Sequence, residues 1–217
     1  MRRPDAREIA LASWFGALYA GIVVALPALS FYVVQVRVAD ALLPLAMLLG
    51  RPAIVGLTLG CFIANFFGFS FPFNLVDATL GSMANFLACT LAHRRARRPG
   101  GLEPRSAFIT TCLMTLVITF IVGTYLPFIL VALGLPAYLP FIPIGPIPPI
   151  VALVLSGWGG VGLGTFLAVS VLGYLLFSAL RRVLTKGAPH ALSKYSFSSQ
   201  AVMVRAASGP ASSKKRW

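Results

Sequence analysis

Three ionisable side chains, Arg37, Asp40 and Asp77, stand inside stretches that are otherwise almost wholly apolar, and the carboxamides Asn65 and Asn85 share that setting. Such a set recognises a ligand more readily than it transforms one. Carboxylates accept hydrogen bonds, a guanidinium donates them, and a carboxamide does both. The two oxygens of a carboxylate match two parallel donors, such as the N1–H and amino edge of a guanine-like ring, and they equally suit several other polar vitamins. Arg37 lies three residues before Asp40, a spacing that makes neighbours on a helix. A cation beside one of two carboxylates is the wrong setting for the shared-proton chemistry of an intramembrane aspartyl protease.

Other candidate chemistry is absent. His93 falls in a basic run and His190 in a polar tail, and no HExxH, GxSxG or paired histidine accompanies them. No catalytic residue is expected. Cys61, Cys89 and Cys112 lack CxxC spacing and read as small packing residues, so no metal site is expected. Gly160-Val161-Gly162-Leu163-Gly164 imitates a phosphate loop but lacks the following Lys-Ser/Thr. No cofactor is expected, and any use of ATP requires a partner.

The elements that hold these residues follow from composition. Of 217 residues, 58% are hydrophobic and 11% charged, and mean hydropathy is +0.88. Too few polar groups remain to clothe a water-soluble globule, so lipid is the solvent. A crossing needs roughly 20 apolar residues. The sequence offers six such stretches, a bundle of six transmembrane helices: about Ile9–Leu26, Leu29–Leu49, Pro52–Phe67, Leu75–Ala92, Ala107–Leu133 and Ile150–Leu180. The outer part of the second, Leu29–Val34, is open to a loop reading. Between the fifth and sixth, Gly134–Pro149 carries too many prolines for a helix interior and reads as an outer apolar lid or interfacial loop.

Net charge is +13, yet of the 18 Lys and Arg only Arg37 falls outside segments assigned to the cytoplasm. That placement is the positive-inside pattern, with both termini cytoplasmic, and it displaces a nucleic-acid surface as the explanation. Residues 1–184 form the membrane domain, and the basic residues 185–217 read as a disordered cytoplasmic tail near anionic lipid.

Counting at about 1.5 Å per residue from the cytoplasmic turns puts Arg37 and Asn65 each roughly 21 Å up, Asp77 roughly 24 Å and Asp40 roughly 16 Å. Residues of three helices thus reach one level in the outer half. Asp77, Gly81 and Asn85 line one stripe. The economical reading is a concave polar substrate site open to the outside, built from Arg37, Asp40, Asn65, Asp77 and Asn85. Also open is a structural reading: an Arg37–Asp40 ion pair, Asp77 as a helix cap, and asparagines bridging helices. The first helix repeats small residues, Ala12, Gly16 and Ala20, beside Ser13, Ala17 and Gly21. Such rows admit another helix closely, from within the chain or from a partner.

Three runs, Val34–Leu45, Ile54–Asn65 and Asp77–Ser82, together resemble the QueT family. These are substrate-binding (S) components of energy-coupling factor (ECF) transporters for queuosine precursors, the 7-deazaguanines. The resemblance covers roughly Leu18–Leu91. It implies six helices in the cell membrane, a substrate site near the outer face, and docking of the ECF coupling protein on the Ala12, Gly16, Ala20 row. It further implies two ATPases on that coupling protein and toppling of the loaded subunit in the membrane. The chain departs from the family pattern at Asp40, where a Glu is usual, and in Gly134–Pro149, which stands where an Asn-containing motif is expected. A different vitamin, a solitary carrier or a purely structural membrane protein are the alternatives.

Overall fold

The computed structural model describes residues 4–30, 35–139 and 147–187. Among them all regular structure is helical. By contacts the chain divides into Met1–Phe177 and Ser178–Trp217. The tail expected to be disordered lies, from residue 188 onward, outside the described residues.

Helix α1 (Ala6–Ala25) starts at a capping box in which Glu8 accepts from the Asp5 backbone N–H at 3.3 Å. A short α2 (Pro27–Ser30) follows. After Gly50, whose φ of +68° makes the tight turn, Pro52 opens the first turn of α4 (Arg51–Phe66). Helix α5 (Phe73–Ala96) places His93, Arg94 and Arg95 in its last turn, where cations oppose the negative end of the helix dipole. Pro104 likewise opens α6 (Pro104–Ala132). Its internal Pro127 deprives the Gly123 carbonyl of a helical partner. Gly157 on the facing helix leaves room for that carbonyl and for the proline ring.

Among the described residues four helices are long and apolar enough to cross a membrane: α1, α5, α6 and the run Pro149–Thr185, with mean hydropathies of 1.6, 1.3, 2.2 and 2.0. Arg51–Phe66 and Val38–Leu49 are shorter apolar helices. The outer surface is strongly apolar, with Trp14, Leu116 and Phe120 each about three-fifths exposed. Arg37, Asp40 and Asp77 and the amides Gln35, Asn65, Asn74 and Asn85 lie inside instead, an inversion that suits hydrocarbon as the surrounding solvent.

The second apolar stretch corrects the expectation of a helix over Leu29–Leu49. Residues 31–34 lie outside the described residues, residues 35–37 have no helical structure, and Val38–Leu45 is a 3-10 helix continued by α3 (Ala46–Leu49). Pro44 removes one backbone donor from this segment and biases the residue before it away from the α conformation. A non-α backbone survives in a membrane protein only where protein covers it. Here Gln35, Arg37, Ala39, Asp40 and Leu42–Met47 are all buried. Because a 3-10 helix rises about 2.0 Å per residue, Arg37 stands further from Arg51 than an α-helical count implies.

The last apolar run, expected as one helix over Ile150–Leu180, is α7 (Pro149–Thr165), a π segment (Phe166–Gly173) and α8 (Tyr174–Gly187). Its glycines serve close packing, and the partner is not always a helix. Gly164 admits the backbone carbonyl of Gln35, and Gly173 admits the Pro44 ring and the Ala41 carbonyl. The tightly wound 3-10 segment thus packs against the wider, underwound π segment. Helices α1, α4, α5, α6 and α7 pack in that sequence around it. Of the proline-rich connection, residues 140–146 lie outside the described residues. Before them, Leu139 is buried and its N–H donates to Ser156 Oγ at 3.2 Å.

Candidate functional site

All five polar residues singled out from the sequence are interior: Arg37 is 5% exposed, Asp40 3%, Asn85 2%, and Asn65 and Asp77 0%. They form a buried cluster rather than an open bowl. Five segments supply it, the 3-10 region, α4, α5 and, through residues not foreseen, α1 and α6.

One half is built around Asp40. Tyr19 of α1, fully buried, donates its hydroxyl to Asp40 Oδ1 at 2.5 Å. Asn85 of α5 donates from Nδ2 to the same Tyr19 oxygen at 3.0 Å. The three side chains tie α1, the 3-10 helix and α5 together. Through Tyr19, Asp40 is linked to a residue two helical turns past Asp77 on α5, in keeping with its deeper expected level.

The other half is built around Asp77. The structural alternative made this residue a helix cap, but α5 starts at Phe73 after Pro72, so Asp77 lies a turn inside and wholly buried. Tyr125 of α6 donates its hydroxyl to Asp77 Oδ1 at 2.7 Å. Asn65 of α4 donates from Nδ2 to the Asp77 backbone carbonyl at 3.1 Å. Both asparagines therefore do bridge helices. Gly81 sits beneath: a Cβ there would fall 2.5 Å from Asn65 Nδ2 and 3.3 Å from the Tyr125 hydroxyl. Asp77 Oδ2 and Asn65 Oδ1 are buried without a hydrogen-bond partner among the described residues. A buried acceptor left so costs about 1–3 kcal/mol.

Arg37 stands between the halves. Its Nη2 makes long contacts of 3.5 Å to the Ser30 carbonyl and to Gln35 Oε1, and Nη1 lies 3.9 Å from Cys61 Sγ. Its charge lies within electrostatic reach of both Asp40 and Asp77. Tyr19, Tyr125, Gln35 and Cys61 thus join the site beyond the expected set. A buried tyrosine needs a partner for its hydroxyl, and that rule was the one signal for the first two.

The small-residue row of α1 is half-buried and serves two surfaces. On one side it packs within the chain: a Cβ on Gly60 would lie 2.5 Å from the Gly16 carbonyl, and one on Gly56 would strike the Ala12 carbonyl. On the other, Ala12, Gly16 and Ala20 line a groove of about 760 Å³ with Val55 and Leu59 of α4. Among the described residues no group of His, Cys, Asp or Glu is arranged to hold a metal ion.

An all-helical membrane protein with its polar chemistry gathered inside an apolar shell is the class that fold and site define. The family model for the QueT transporter matches residues 9–182, and the chain belongs to that family. Its role is transport of a small molecule in a membrane setting. Neither a curated protein nor a solved structure matches the chain.

Proposed function

We propose that this chain is the substrate-binding S component of an ECF-type transporter in the plasma membrane and that it takes up a 7-deazaguanine, a queuosine or archaeosine precursor. It crosses the membrane six times with both termini in the cytoplasm. Arg37, Asp40, Asn65, Asp77 and Asn85 form the substrate site. The observation that carries the reading is the interior cluster itself. Charged and amide groups buried in a bundle with an apolar shell are costly unless they face partners or a ligand, and two acceptors here have no partner. A 7-deazaguanine brings the donors they lack.

Transport is driven from outside this chain. A membrane-embedded coupling protein docks in the α1–α4 groove against Ala12, Gly16 and Ala20 and carries two ATPases. The groove supports this by its mostly apolar lining and by the small residues of α1 along it, which let a helix approach closely.

The test is native mass spectrometry of the chain purified after feeding cells 7-cyano-7-deazaguanine, 7-aminomethyl-7-deazaguanine, queuine, riboflavin or biotin. The expected result is retention of a deazaguanine alone. Retention of a different vitamin reassigns the substrate, and no retained ligand at all defeats the reading of the chain as a substrate-binding subunit.

A further inference from the structure

The two carboxylates of the cluster are not equivalent. Asp40 Oδ1 is occupied by Tyr19, whose hydroxyl is in turn held by Asn85. At Asp77 the corresponding position, Oδ1, is occupied by Tyr125, and Oδ2 has no hydrogen-bond partner among the described residues. The neighbouring Asn65 repeats the pattern. Its Nδ2 is committed to the Asp77 backbone carbonyl, which fixes the amide, and its Oδ1 is left without a partner. Both residues are 0% exposed. Nothing at position 81 fills the space where the Asn65 amide and the Tyr125 hydroxyl converge, because that position is glycine.

We infer that Asn65 Oδ1 and Asp77 Oδ2 form a paired acceptor that reads two N–H donors on one edge of the ligand. Tyr125 and Gly81 are positioning residues. Tyr125 turns the Asp77 carboxylate by holding Oδ1, and Gly81 lets the Asn65 amide lie flat beside it. The inference rests on the cluster being the substrate site. It adds the ligand edge that is read and the carboxylate that reads it, which is Asp77 rather than Asp40. The ligand class is a neutral heteroaromatic lactam with an amino group beside the ring N–H. A lactam lacking that amino group offers one donor and leaves one acceptor buried and unmet, a strong ground for rejection.

The experiment uses the full chain in lipid nanodiscs and measures Kd for 7-cyano-7-deazaguanine and for its analogue lacking the 2-amino group. The wild-type chain prefers the amino compound by about 10- to 100-fold, the discrimination usual for a paired hydrogen-bond contact. Asp77→Asn brings the ratio close to one, because Tyr125 holds the amide oxygen and turns its NH2 toward the ligand's donors. Tyr125→Phe, a gentler change that covers the case in which Asp77→Asn does not fold, lowers the ratio by about threefold or more. Asp40→Asn weakens both ligands alike and keeps the ratio. Equal wild-type affinity for the two compounds overturns the inference but not the substrate reading. So does a ratio that survives Asp77→Asn and collapses in Asp40→Asn. Failure to bind either compound overturns both.

Discussion

Tyr19–Asp40–Asn85 and Asn65–Asp77–Tyr125 are built from the same parts, a carboxylate, a tyrosine and an asparagine, yet they end in opposite states. In the first, the asparagine donates to the tyrosine and the tyrosine to the carboxylate, which clamps α1 and α5 to the 3-10 helix, and none of the trio's oxygens is among the buried atoms left without a partner. In the second, each donor is spent so that one acceptor oxygen per residue is left over. The difference teaches that residue type does not assign a role inside a membrane protein. The assignment comes from counting donors against acceptors, since an unmet acceptor there has no water to turn to.

The comparison breaks first at Asp77. Asp77→Ala removes the open acceptor and leaves Tyr125 unpaired, and it is expected to weaken deazaguanine binding by at least about 100-fold in equilibrium titration. Gly81→Ala sharpens it: the new Cβ meets the Asn65 amide, and affinity falls by about 10-fold or more. Tyr19→Phe tests the closed half. It leaves Asp40 and Asn85 without their shared hydroxyl, so thermal unfolding shows a loss of about 1–3 kcal/mol, while ligand discrimination is retained. The smallest effect on ligand is expected at Ala20→Leu, which fills the groove. Ligand affinity stays within about twofold, a change under 0.5 kcal/mol, while copurification with the coupling protein is lost. Retained copurification places docking elsewhere.

Much of this was legible in the sequence because charges and amides in apolar stretches are conspicuous. Arg37, Asp40, Asn65, Asp77 and Asn85 all fall in one interior cluster. Helix ends marked by Pro, Gly or basic runs, as at Arg51–Pro52 and His93–Arg95, emerge within a few residues of expectation. Tyr19 and Tyr125 stayed hidden because most of a phenol ring is apolar and its single hydroxyl gains meaning only beside a partner. The second apolar stretch misled for a related reason: hydropathy counts side chains and is blind to backbone form. The mark of something other than an ordinary crossing helix was its density of Gln35, Arg37, Asp40 and Pro44. The contacts of Gly164 and Gly173 were beyond reach, since a glycine in a helix names no partner until the chain is folded.

The most direct measurement is calorimetric titration of 7-cyano-7-deazaguanine into the purified wild-type chain and into Asp77→Ala, both in nanodiscs and without partner proteins. The account predicts saturable binding of one molecule per wild-type chain and none detectable to Asp77→Ala at the same concentrations. No binding to the wild-type chain, or equal binding to both, would contradict it.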